Sequence, residues 1–226
     1  MRTKGENKIK VHIIRHGKTL LNERHCYIGV TDDPLSETGT KEIEDKVKAG
    51  IYKDVDKVFS SPMKRAMQTA KIIFKEKAVI EILEFRETDF GSFEGKNYSE
   101  LQDNLYYRKW IDEAYGSLDK ENKGLYENLP NPISNNIILP ENNRDVIARV
   151  KSGFLKVLEQ SEGVEEVAIV AHGGTISALC SSFLDGDFYK YMTACGDGIS
   201  IDLTYGINDN GTVEISCFSI ASRICS

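Results

Sequence analysis

The chain has 226 residues, a formal net charge of −6 and a pI near 5.4, long enough for one well-buried core and too acidic for nucleic acid to be its main partner, since phosphate-backbone affinity needs a basic footprint. With 40% hydrophobic, 28% charged and 9% aromatic residues, it has the composition of an ordinary globular protein and excludes extensive disorder or a repeat array. Five cysteines (Cys26, Cys180, Cys195, Cys217, Cys225) form no CxxC pair, no run is long enough to span a membrane, and the charged start lacks the apolar stretch of a signal peptide, so the expectation is a cytoplasmic protein with reduced thiols.

The first apolar run, Val11-His12-Ile13-Ile14, stops at Arg15-His16-Gly17. β-Branched residues followed by a charged pair and a glycine predict a buried strand emerging into a turn, and ligands of open α/β sheets sit at such strand ends. Asn22 to Asp33 is polar and irregular. Ser36 then caps a helix of roughly a dozen residues, an ordinary length, with Ile43 and Val47 on one face and Gly50 as its stop. Asp56 to Pro62 reads as a short strand ending in Ser60-Ser61, with Pro62 at the first position of the next helix. That helix carries Met63, Ala66, Met67, Ala70, Ile73 and Phe74 on its apolar side and Arg65 in its first turn.

A third apolar run, Ala78 to Leu83, leads into a glycine-punctuated acidic loop, Glu84 to Gly95, that contains Glu87. The order β, α, β, α, β is the signature of a parallel sheet with right-handed crossovers. About residues 96–140 depart from it, with one helix rich in Tyr106, Tyr107 and Trp110 and then a stretch heavy in Asn, Gly and Pro; this is read as a lid-like insertion within a single domain spanning 1–226. Asn142 or Asn143 caps a long helix through about Gln160. Val167 to Ala171 repeats the opening device, an apolar run and then His172-Gly173-Gly174, with a helix to about Leu184. The tail reads as a hairpin of Gly198 to Tyr205 and Thr212 to Ile220, joined around Asn210-Gly211.

If the sheet is parallel, Arg15, His16, Arg65, Glu87 and His172 converge, because each lies just past a strand's carboxyl end or in the first turn after one. Two arginines offer always-charged forks matched to phosphate oxygens, and Gly17 and Gly173 are expected to leave backbone N–H groups open at helix starts. In such a pocket a neutral imidazole can attack phosphorus, a protonated one can stabilise the transferring group, and a carboxylate can protonate the leaving alcohol. The chain has four histidines and no HExxH or HxH spacing, so neither a metal nor another cofactor is expected. His12 and His25 are read as structural. Arg65 alone is a solvated helix arginine and Glu87 one acid among 35; the conjunction is what points to phosphate chemistry.

Arg15-His16-Gly17-Lys18-Thr19 followed by Asn22 resembles the opening motif of the histidine phosphatase superfamily, the phosphoglycerate mutase-like proteins. Three further segments agree in order: Gly29-x-x-Asp32-x-Pro34-Leu35-Ser36-x-x-Gly39, Ser60-Ser61-Pro62-x-x-Arg65-Ala66-x-Gln68-Thr69-Ala70, and Glu87-x-x-Phe90-Gly91-x-x-Glu94-Gly95, with His172-Gly173-Gly174 last. The resemblance implies an α/β fold, a three-layer α/β/α sandwich on a mostly parallel sheet. It implies His16 as the phosphorylated nucleophile, Arg15, Arg65 and His172 as the phosphate pocket, Asn22 as a further phosphate contact and Glu87 as the acid/base. Gly173, Thr19 and Tyr27 are added as candidate phosphate or substrate contacts. One departure stands out: where members often carry Gly-Glu-Ser, this chain has Pro140-Glu141-Asn142, leading to Asp145 and Arg149.

The acidic loop is similar to the phosphatase branch, and the mutase continuation Arg-His-Tyr-Gly is missing, so hydrolysis of a small phosphorylated metabolite is expected. A bisphosphate-dependent phosphoglycerate mutase is the alternative, and a non-catalytic phospholigand-binding module is the alternative from another class. The run Tyr27-x-Gly29-x-Thr31-Asp32-x-Pro34-Leu35 is similar to α-ribazole phosphatases, which makes α-ribazole 5′-phosphate a substrate guess. Neither nucleic acid nor membrane is expected as a partner, and homodimerisation is left open.

Overall fold

The computed structural model describes residues 4–115, 124, 126–184 and 188–225. Its central strand, β4 (Glu166–Ala171), explains why an unbroken apolar run was needed: Val167, Ile169 and Ala171 join one hydrophobic cluster while Ala168 and Val170 join another on the opposite face. Around it β1 (Lys4–Arg15), β2 (Lys57–Ser60), β3 (Val79–Glu81), β5 (Gly198–Ile207) and β6 (Val213–Ile224) complete a six-stranded sheet in the order β3-β2-β4-β1-β5-β6. The first four strands in that order are mutually parallel, whereas β5 joins β1, and β6 joins β5, antiparallel. The sheet is therefore mixed but mostly parallel, with helices on both faces.

Helices α1 (Leu20–Glu23), α2 (Glu37–Lys48), α3 (Lys64–Ile73), α4 (Tyr98–Leu101), α5 (Leu105–Tyr115), α6 (Asn143–Glu159) and α7 (Gly173–Phe183) connect the strands. Val146, Val150, Phe154, Val157 and Leu158 of α6 pack with Ile176 and Leu179 of α7 over one face. Ala66 and Ala70 of α3 pack on Val58, Ala168 and Val170 over the other.

Ser36 caps α2 by accepting from the Gly39 amide at 2.9 Å, and Asn142 caps α6 by accepting from the Asp145 amide at 3.0 Å, both as the sequence requires. Other boundaries differ from expectation. Pro62 lies outside α3, whose cap is Met63, because residues 60–61 are still engaged with β4 through the Ser61 amide and Val170 carbonyl. β3 keeps only three residues, Val79–Glu81, before the chain tightens into a 3₁₀ turn at Leu83–Phe85.

β1 begins seven residues before the apolar run at Val11, since its polar first half pairs with β5 from Lys4 onward and needs no alternating buried face. The hairpin is also longer than expected: β6 reaches Ile224, and the Asn208 side chain accepts from the amides of Asn210 and Thr212 while Gly211 takes φ +77°. α4 went unread although Asn97 and Glu100 form a capping box, a signal present in the sequence. The middle of the insertion, residues 116–123 and 125, lies outside the described residues.

The first turn of α2 presses against the loop that follows β1. A Cβ on Gly39 would stand 2.0 Å from the Lys18 carbonyl oxygen, closer than any relaxed contact. Gly39→Ala is therefore expected to lower the unfolding free energy by about 2 kcal/mol, read from the midpoint of urea denaturation.

Candidate active site

β1 and β4 run in parallel register with Arg15 opposite Ala171, and the His16 amide donates to the Ala171 carbonyl at 2.9 Å. The next residue of each strand, His16 and His172, thus emerges beside the other. Their rings meet edge to face, centroids 5.0 Å apart at 61°, and both are buried. His16 Nδ1 lies 2.6 Å from the Gly17 carbonyl oxygen. A carbonyl only accepts, so Nδ1 carries the proton and Nε2 is left with its lone pair. His172 Nε2 is held by Ser61 Oγ at 2.8 Å, while its Nδ1 is buried with no hydrogen-bond partner.

Two guanidiniums share this space. Arg15 donates through Nη1 to the Thr193 carbonyl at 2.6 Å. Arg65, fully buried, donates to the carbonyls of Thr31 at 2.8 Å, Gly29 at 3.0 Å and Ile28 at 3.3 Å. Its fork is therefore closed on the backbone rather than open to a ligand, and what it retains is charge and a buried Nε–H. The Nε–H of Arg15 is buried and unpartnered as well. Three unpartnered nitrogens around one cationic cluster are what a bound anion would satisfy.

Burial lowers the pKa of His16 well below the usual imidazole range, helped by the charges of Arg65 and Arg15. His172 is lowered by burial, then by Arg65, by His16 and by Arg15. Both rings are therefore neutral near pH 7.

Glu87 arrives on the loop after β3, buried against α7. Its carboxylate accepts from the Thr88 amide at 2.9 Å and the Gly174 amide at 3.1 Å. A Cβ on Gly174 would stand 2.4 Å from Glu87 Oε1, so a glycine is needed for this approach. Two other carboxylates brace the loop. Glu94 accepts from the amides of Gly29, Val30 and Phe90 and from the Thr31 hydroxyl, tying the Glu87 loop to the segment that holds Arg65. Glu141 forms a two-pronged pair with Arg149 (3.0 and 2.8 Å), whose Nη1 donates to the carbonyls of Glu84 and Arg86. The altered neighbours of Glu141 thus leave its brace intact.

This fold and this cluster can be set beside known proteins. Residues 11–201 match the profile of the histidine phosphatase superfamily (branch 1). The chain belongs to that superfamily. It is 30% identical over 182 residues to the uncharacterized phosphatase PhoE of Bacillus subtilis (strain 168), covering 78% of each protein. It is also 27% identical over 196 residues to a 2,3-bisphosphoglycerate-dependent phosphoglycerate mutase of Treponema denticola, covering 77% of this chain and 78% of the relative. The solved α-ribazole phosphatase of Shigella flexneri shares the fold, with a TM-score of 0.66 at 21% identity over 92% of this chain and 95% of that one. The protein is thus an enzyme of this superfamily, hydrolase or mutase in type.

The cluster opens into a cavity of about 780 Å³ lined by Arg15, His16, Asn22, Tyr27, Glu87 and Gly173, among others. His172 and Arg65 lie behind that lining. Thr19 does not reach it: fully buried, it caps α1 and accepts from the Asn22 amide, while its own amide donates to Asn22 Oδ1 at 3.1 Å, so it orients Asn22 instead. Gly17 does not offer an open amide either, because its N–H donates to Thr69 Oγ1 at 3.0 Å and no helix starts there.

Sequence reasoning missed Ser61 and Asn143, and set His25 aside. His25 lines the cavity in a left-handed conformation, φ +57°. Asn143 lines it from the start of α6. His12 is a satisfied structural residue, its ring bridging Ser200 Oγ at 2.8 Å and Glu166 at 3.0 Å. Among the described residues no group of three or more His, Cys, Asp or Glu is placed to hold a metal ion, and no helix is long and apolar enough to cross a membrane.

Both site histidines resist protonation when folded but not when unfolded, so the unfolded chain binds more protons below a pH of about 6.5. Their contribution to stability is complete above that pH and is lost as pH falls toward the depressed folded values. Urea unfolding of the phosphate-free protein is expected to show falling stability between about pH 7 and 5.5. Saturating inorganic phosphate should flatten that decline, because the bound anion lets the imidazoles accept protons. Glu141→Gln is expected to lower turnover while leaving the His16 and His172 contacts in place, since it removes one charge from the brace that seats the Glu87 loop; steady-state kinetics with any accepted ester checks it.

Proposed function

We propose that this enzyme hydrolyses phosphate monoesters of small metabolites through a phosphohistidine on His16. The observation that carries this reading is the His16 tautomer: a buried neutral imidazole with Nδ1–H fixed on the Gly17 carbonyl and Nε2 free, inside a cluster of two arginines and a second histidine. Nε2 attacks phosphorus and the bond from phosphorus to the ester oxygen breaks, while Glu87 gives its proton to the departing alcohol. Water then attacks the phosphohistidine, Glu87 takes a proton from it, and the P–N bond breaks to release phosphate and restore the lone pair of His16. The charges of Arg15 and Arg65, the Nδ1 of His172 and the amide of Gly173 stabilise the equatorial oxygens through both steps. Asn22 and Tyr27 contact the bound ester from the cavity wall.

The mutase-named relative supports a second reading, phosphoryl shuttling between the positions of a phosphoglycerate. Against it stands the charge lining the cavity. Beyond Arg15 the fixed cation there is Lys18, and it is already paired with Glu42 at 2.7 Å, which leaves little to hold a second anionic group. Incubation with 3-phosphoglycerate and a bisphosphate primer separates the two by whether substrate is isomerised or stripped of phosphate. Among phosphatase substrates α-ribazole 5′-phosphate is the first to assay, on the likeness of the Tyr27 to Leu35 run.

His16→Ala is expected to lower kcat on nitrophenyl phosphate by about 10³-fold or more; equal turnover by the variant and wild type would refute the nucleophile. Glu87→Gln should slow an alkyl phosphate by about 10²-fold or more but nitrophenyl phosphate by less than about tenfold, because nitrophenolate leaves without a proton. Matched losses on the two esters would place the acid elsewhere.

A further inference from the structure

The cavity combines polar and apolar walls: besides Arg15, His16 and Glu87, and polar side chains such as Asn22 and Asn143, it is lined by Tyr27, Phe90, Trp110, Ile111 and, from the segment before β5, Met192. Trp110 is held in an aromatic cluster, its ring centroid 5.7 Å from Tyr27, 6.0 Å from Phe90 and 5.9 Å from Phe93, the first two edge to face. Tyr27 shares a hydrogen bond of 2.7 Å with Tyr107, which is itself buried against Phe93. These rings are fixed before any ligand arrives, so a flat partner meets a surface whose ordering entropy is already spent. Met192, 42% exposed, brings a thioether within 3.4 Å of where a Cβ on Gly173 would stand, which places an adaptable apolar group next to the phosphate pocket. The Lys18 ammonium already faces the Glu42 carboxylate at 2.7 Å, so the lysine on this wall does not stand alone to meet a charged leaving group.

Resting on the phosphomonoesterase reading, we propose that the preferred substrate carries an uncharged, flat aromatic group on its alcohol, received by Trp110 and Tyr27 and flanked by Met192. Insertion α5 thereby sets specificity, and small polar esters such as phosphoserine are poor substrates.

The test compares 2-phenylethyl phosphate with ethyl phosphate, whose alcohols leave with similar difficulty, so the difference reports recognition. Wild type should favour the aromatic ester by about 30-fold in kcat/KM, expressed in KM. Trp110→Ala should narrow that ratio to about threefold, and Trp110→Phe, which keeps a ring in the cluster, should retain most of it. Equal kcat/KM for the two esters in wild type, or an unchanged ratio in both variants, would overturn the inference while leaving hydrolysis standing. Trp110 is the single tryptophan of the chain, so its fluorescence gives a readout independent of turnover. Titrated into wild type, 2-phenylethylphosphonate should perturb it at about 30-fold lower concentration than ethylphosphonate does. Equal affinity for the two phosphonates would defeat the proposal even if no ester were hydrolysed, a result that would instead defeat the phosphatase reading.

Discussion

The parallel register between β1 and β4 is the constraint on which the rest of the structure depends. With Arg15 opposite Ala171, the two strands end on the same rung, and His16 and His172 leave it side by side. A slip of one residue would turn Val11 and Ile13 away from the core cluster they share with Val167 and Ile169, so hydrophobic burial fixes the same register that the chemistry needs. β2 uses the register too, since Ser60 lies opposite Val170 and delivers Ser61 to the ring of His172.

The second constraint is electrostatic. Arg65 is fully buried and its terminal nitrogens are spent on backbone carbonyls, which offset part of its desolvation without cancelling its charge. Burial is the larger cause that depresses both histidines, and that uncancelled charge, with Arg15, adds to it and leaves a pocket that favours a dianion although the protein as a whole is acidic. Acidic residues serve mainly as scaffolding around it. Glu94 gathers amides from two loops, and Glu141 engages Arg149, so carboxylates position the cationic machinery from outside.

Much of this was legible in order along the chain. The two strand-then-His-Gly runs, the Ser36 and Asn142 caps and the Arg65 turn are local patterns, in which the residue types that define an element also mark its end. What was misread turned on hydrogen bonds that the motif alone does not show, most of them non-local. Thr19 looked like a phosphate contact because it sits in the motif, but its hydroxyl is closer to the orphan amides of its own helix. Gly17 looked like an open amide until α3 brought Thr69 to it from 52 residues away. Arg65 looked like an open fork, yet the loop of residues 28–31 folds over it and takes its donors.

The sequence by itself determined the α/β order, the strand ends that carry the site and the family to which the chain belongs, because periodicity, caps and ordered motifs are written in neighbouring residues. Only the tertiary structure decided which nitrogen of His16 is free, which arginine is open and which rings wall the cavity. The first is set by the turn that brings the Gly17 carbonyl to His16, the other two by contacts between residues distant along the chain, as when α5 carries Trp110 to Tyr27, and no local pattern records them.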